Sequence, residues 1–116
     1  MSDKIKTGNK GERLAAEFLK EKGFEILECN YRYKKAEIDL IVQRENWVLF
    51  VEVKTRTSSL YGEPEDFVDA QKTSRIFDAA EEWIYSTDWR GHIRFDIISV
   101  KLGDPPVVEH FEDAIN

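Results

Sequence analysis

One cysteine, Cys29, in 116 residues leaves no internal disulfide to form. The missing Cys framework fits a reducing cytoplasm. Cys29 falls late in a predicted strand and reads as a structural thiol rather than a reactive one. The two histidines, His92 and His110, stand apart without ligand-like spacing, which argues against zinc. No apolar run approaches bilayer-spanning length, so no membrane partner is expected. The polar stretch Met1–Lys6 lacks the apolar core of a secretion signal. Neither a glycine-rich phosphate loop nor a Ser-His-Asp order can be made out. There is no internal repeat, low-complexity segment or domain linker. The expectation is a cytoplasmic globule, a single domain over residues 1–116.

An excess of positive charge is also absent: the net charge is −6. Taken whole, that argues against a nucleic-acid binder. The distribution is uneven, however. Residues 1–56 carry a net +2 and residues 57–116 a net −8. The cations therefore gather in the half that also holds the most informative acidic residues.

Asn9-Lys10-Gly11-Glu12 resembles a capping box, and a helix with Leu14, Ala15, Phe18 and Leu19 on its apolar stripe runs to about Lys22. Gly23 ends it. A strand follows from Phe24 to about Tyr31, then a basic connection Tyr31-Arg32-Tyr33-Lys34-Lys35-Ala36. Two apolar runs come next, Glu37–Val42 and Trp47–Lys54, rich in β-branched and aromatic residues. Thr55–Pro64 reads as a long loop. A second helix is predicted after Pro64 to about Tyr85, burying Phe67, Ile76, Phe77, Ala80, Trp83 and Ile84. Ser86–His92 is a turn, Ile93–Val100 a strand, and Val107–Phe111 an edge strand. The order α-β-β-β-α-β-β predicts an α/β fold, a mixed β-sheet flanked by α-helices.

A two-residue turn at Glu45-Asn46 sets Arg44 opposite Trp47. Continued, that register brings Asp39 opposite Glu52 and Glu37 opposite Lys54, and since side chains alternate along a strand all four share one face. Carboxylates facing each other across a ladder repel. A divalent metal between Asp39 and Glu52, Mg²⁺ or Mn²⁺, would relieve this, and Lys54 is the other candidate partner. Such a metal would polarise a phosphoryl oxygen and acidify a bound water. Lys54 could orient that water or stabilise developing negative charge. Glu12 sits at the border of its helix's buried stripe and could reach the same place, although capping is the plainer role for it. Lys72 shares a helix line with Ile76, Ala79 and Trp83; a snorkelling surface lysine is its plainer role. Asp96 reads as a structural hydrogen-bonding residue. The stretch Tyr31-Arg32-Tyr33-Lys34-Lys35, with Arg13 and Arg56, could bind phosphates and stack bases, or could simply be solvated.

The spacing from Asp39 to Glu52-Val53-Lys54 resembles the PD-(D/E)xK nuclease signature. Around it, Gly8–Ala16, Gly23–Leu27, Asn30-Tyr31-Arg32, Glu37–Ile41, Leu49–Arg56 and Arg94–Ile97 resemble the YraN-like family of small bacterial proteins, over roughly residues 8–115. One departure is Ala36, where the family tends to have Gly. The resemblance implies a restriction-endonuclease-like fold, akin to Holliday-junction resolvases. It implies a metal at Asp39 and Glu52, a catalytic Lys54, and Glu12 completing the site. Lys72 would be an accessory residue contacting nucleic acid. The expected activity is metal-dependent hydrolysis of DNA, branched or damaged DNA included, and a homodimer would suit junction cutting. The alternatives are a nucleic-acid-binding protein that keeps this fold without turnover, and a protein-interaction domain.

Overall fold

The computed structural model describes residues 10–57 and 70–115. Their order is α1 (Lys10–Glu21), β1 (Glu25–Tyr33), β2 (Ala36–Arg44), β3 (Trp47–Arg56), α2 (Ala70–Thr87), β4 (His92–Lys101) and β5 (Val107–Phe111). This is the predicted sequence of elements. The Asn9 cap, most of the Thr55–Pro64 loop and Phe67 lie outside the described residues. No helix among those described is long and apolar enough to cross a membrane.

The sheet runs β1-β2-β3-β4-β5. Strands β1 to β3 form two antiparallel hairpins, β3 and β4 pair in parallel, and β5 returns antiparallel to β4. A parallel pair needs a crossover, and the segment containing α2 supplies it. Two apolar cores follow, one on each face. Ile41, Val48, Phe50 and Ile97 pack against Ile76, Ala80 and Trp83 of α2. Val42, Leu49, Val51, Ile98 and Val100 pack against Ala15 and Leu19 of α1. With both faces covered, the β3 run Val48–Val51 is wholly buried, which explains why it reads as continuous rather than alternating.

The boundaries differ from expectation in three places. First, Tyr31–Tyr33 belong to β1, and Lys34-Lys35 form a two-residue turn in which Lys34 takes a left-handed φ of 56°. Cross-strand pairs Tyr31↔Ile38 and Arg32↔Glu37 keep the polar stretch in the ladder. Second, β3 extends through Thr55 and Arg56, held by its pairing with β4. Third, α2 continues to Thr87, where the Ser86 and Thr87 hydroxyls donate back to the carbonyls of Glu82 and Trp83 at 2.8 Å each.

Helix α1 ends as the sequence predicts. Gly23, at φ 94°, lets its own N–H donate to Lys20 O and Phe24 N–H to Leu19 O. At its other end Gly11 is buried, and a Cβ there would overlap the Thr55 side chain of β3. The absent side chain lets the first turn of α1 lie against β3, and Glu12 comes with it.

Candidate functional site

The β2–β3 hairpin has the predicted register: Arg44↔Trp47, Gln43↔Val48, Val42↔Leu49, Ile41↔Phe50 and Leu40↔Val51. There the paired ladder stops. The expected pairings of Asp39 with Glu52 and Glu37 with Lys54 do not form. Instead, Val53 N–H donates to the Asp39 side chain, Oδ2, at 2.7 Å. A carboxylate stands where a ladder carbonyl would, and the two strand ends part around it.

Strict alternation also fails at this point. Ile38 belongs to the α2-side core and Leu40 to the α1-side core, so β2 slips by one residue at Asp39. Across β1, the pairs Cys29↔Leu40 and Tyr31↔Ile38 bracket Asn30, which sits at φ 54°. Asn tolerates that conformation better than most residues. Glu37 accordingly does not meet Lys54 across the ladder; its carboxylate lies 3.7 Å from Arg32 of β1, and Glu37 still lines one cavity with Asp39 and Glu52.

Glu52 is 5% exposed. Its Oε2 ion-pairs with Lys72 of α2 and lies 3.6 Å from Lys54 Nζ. From the other face, Glu12 accepts a hydrogen bond from Asn30 Nδ2 at 3.1 Å and interacts with Asp39. Asp39 is thus approached from both helical layers. Burial pushes its carboxyl up to about 8, the negative charges of Glu52 and Glu12 push the same way, and the Val53 N–H opposes them. Glu12 is raised too, chiefly by burial, with Asn30 acting against it. Burial lowers Lys54, and neighbouring Lys72 lowers it further, against the pull of Glu52 and Asp39. Lys72 is raised: its pairing with Glu52 outweighs its burial. These are the signatures of acids crowded together and of two amines sharing one anion.

The donor set suits a hard cation. Two crowded carboxyls, one of them reluctant to ionise, would both be stabilised by a divalent ion. Among the described residues no three His, Cys, Asp or Glu side chains converge to hold an ion alone. A cavity of about 380 Å³ opens over Asp39 and Glu52, with Lys35, Lys72 and Arg75 in its wall. Lys35 belongs to the basic stretch singled out in the sequence, whereas Arg75 was not singled out. Arg75 lies one turn beyond Lys72, a spacing that could have found it. Asn30 was missed as well, although Asn is depleted in strands and hence informative there.

Of the remaining predicted residues, Lys34 lines an adjoining hollow, and Arg13, Arg32 and Arg56 are not among the residues lining this cavity. Arg13 is exposed on α1. Arg32 pairs with Glu37. Lys34 sits at the hairpin turn with its ammonium 5.3 Å from the Tyr33 ring centroid. Arg56 ends β3, its carbonyl accepting from Leu102 N–H. Cys29 is exposed, and partial burial and nearby Glu12 raise its thiol, which disfavours the thiolate a reactive cysteine needs.

A pH dependence follows. Asp39 holds its proton up to about pH 8 in the folded chain but loses it near 3.8 when unfolded. Its contribution to stability is therefore fully present below 3.8 and is lost as pH rises toward 8. Glu12 acts in the same sense. The melting temperature of the metal-free protein should fall between pH 5 and 8, and Asp39→Asn should flatten that fall. A parental melting curve that rises across this range would contradict the assignment.

The model of "Uncharacterised protein family UPF0102" matches residues 11–100. The chain is 47% identical over 115 residues to UPF0102 protein FP2501 of Flavobacterium psychrophilum, covering 98% of this chain and 97% of that one. It is 43% identical over 103 residues to a UPF0102 protein of Cytophaga hutchinsonii, covering 89% and 91%. A UPF0102 protein of Rhodococcus opacus is 40% identical over 118 residues, covering 98% and 99%. The chain belongs to the UPF0102 family, the YraN-like group that its motifs resemble.

Proposed function

We propose that this member of the UPF0102 family is a metal-dependent nuclease with a restriction-endonuclease-like, PD-(D/E)xK fold, hydrolysing phosphodiester bonds in DNA. The carrying observation is the convergence of Asp39, Glu52 and Lys54 where β2 and β3 part, beside a cavity in which Lys35, Lys72 and Arg75 face Glu37, Asp39 and Glu52. Asp39 and Glu52 would hold Mg²⁺ or Mn²⁺, which supplies Lewis-acid polarisation of the phosphoryl group and a more acidic water. Val53 N–H fixes the Asp39 carboxylate, and Asn30 fixes Glu12 beside it. The Lys54 amine, adjacent to Glu52, would orient the attacking water and stabilise negative charge developing on the phosphate. Lys35, Lys72 and Arg75 would neutralise backbone phosphates of the substrate. Phosphoryl chemistry of this kind depends on positioning and charge stabilisation, which this layout favours.

The test is a cleavage screen over linear, flapped and four-way DNA with Mg²⁺ and Mn²⁺. Metal-dependent cutting of at least one substrate is expected. The second reading, a nucleic-acid binder without turnover, draws on the Lys72–Glu52 ion pair, which already neutralises one acid. DNA binding with no calorimetric Mg²⁺ or Mn²⁺ binding and no cleavage would favour it.

A further inference from the structure

A second hollow continues from the carboxylate cavity and shares Lys35, Ala36 and Arg75 with it. Its volume is about 290 Å³, and Tyr33, Lys34 and Asp78 complete its wall. Its chemistry differs from that of its neighbour. An aromatic ring and a methyl group form the apolar part, Lys35 and Arg75 are shared with the carboxylate cavity, and Lys34 and Asp78 complete the polar part. A third hollow shares Tyr33, Lys34 and Asp78 with it and adds Glu81, Glu82 and Tyr85. Away from the carboxylate cavity the wall thus gains acids, with Lys34 still part of it.

This polarity gradient discriminates between parts of a nucleotide. Phosphates are drawn to Lys35 and Arg75 and repelled by Asp78, Glu81 and Glu82, whose three charges Lys34 offsets only in part. A base has no charge to repel, presents a face that can stack on Tyr33, and carries ring or amino N–H groups that a carboxylate accepts. A base inside a duplex is already stacked and paired and cannot enter without unstacking. A duplex backbone continued along α2 would run into the acidic stretch.

From this juxtaposition we infer that the Tyr33–Asp78 hollow is a subsite for one unpaired DNA base next to the phosphate held at Asp39 and Glu52. The inference rests on the nuclease reading and narrows its substrate class to DNA with unpaired nucleotides at the cut: single strands, flaps and open junctions.

The test is fluorescence anisotropy of the full chain with a labelled single-stranded oligonucleotide, and with its duplex, at low salt in EDTA. Tyr33→Leu keeps apolar bulk against the core and removes the ring; Tyr33→Phe keeps the ring. The parent should bind the single strand more tightly than the duplex. Tyr33→Leu should weaken single-strand binding by about 5- to 100-fold, the worth of one stacked base, and leave duplex binding within about twofold. Tyr33→Phe should match the parent. Equal loss on both DNAs, no loss on either, or a parent that ignores single strands would each overturn the subsite. EDTA separates the two proposals. A chain that binds through Tyr33 yet never cuts when metal is restored keeps the subsite and ends the nuclease reading. A chain that cuts DNA while Tyr33→Leu binds like the parent does the reverse.

Discussion

Glu52→Gln should lower metal-dependent DNA cleavage by roughly a thousandfold or more while the chain stays folded. A ligating carboxylate contributes several kcal/mol to stabilising charge at a phosphoryl centre, and about 1.4 kcal/mol corresponds to tenfold in rate. Gln keeps the shape of Glu in a position only 5% exposed, so the substitution removes charge without opening a cavity. It also removes the anion shared by Lys54 and Lys72, which leaves two amines facing each other. Some loss of melting temperature should accompany the loss of activity, and circular dichroism would verify that the fold survives. Comparison with Lys54→Met sharpens the assignment. Lys54→Met should lose cleavage but retain calorimetric Mn²⁺ binding, whereas Glu52→Gln should lose both. Parental cleavage by Glu52→Gln would remove Glu52 from the mechanism.

The largest stability effect should come from a residue away from that cavity. Asp96 is fully buried on β4. Its carboxylate accepts two hydrogen bonds from Arg94, both at 2.9 Å, one from Asp113 N–H at 2.9 Å, and pairs with His110 Nε2 at 2.7 Å. Burial alone would raise its pKa; the bonds from His110, Arg94 and Asp113 outweigh this and hold it below the usual carboxylate range. Asp96→Ala strands all of these donors. Removing one partner of a buried ionic network costs about 3–5 kcal/mol, which corresponds here to a melting temperature lower by roughly 10–20 °C. The depressed pKa makes this stabilisation complete above about pH 4 and progressively lost as pH falls through the folded value. Asp96→Ala should therefore flatten the acid limb of the parental stability curve. Cleavage by the fraction that remains folded should be close to parental, since no described contact links Asp96 to Asp39 or Glu52. A melting temperature within 2 °C of the parent would show that the network contributes little.

Much of the architecture was legible because local chemistry and tertiary packing agree. Gly23 ends α1 because the left-handed conformation there favours glycine, and Glu45-Asn46 fixes the hairpin register over five residue pairs. The continuous apolar run in β3 announced a central strand covered on both faces. The polar stretch Tyr31–Tyr33 was less readable, since its strand state depends on cross-strand partners from Ala36 to Ile38 rather than on its own propensity.

By itself, the sequence determined the order of elements, the hairpin register, and the placement of an acid, a second acid and an amine on adjoining strands, because turn chemistry and hydrophobic periodicity are local properties. Only the tertiary structure decided that the ladder opens at Asp39, that Glu12 and Lys72 approach from opposite layers, and that Arg75 and Tyr33 extend the cavity. Those outcomes depend on how two helices dock on a twisted sheet. Docking is a balance of many non-local contacts that no single window of sequence contains.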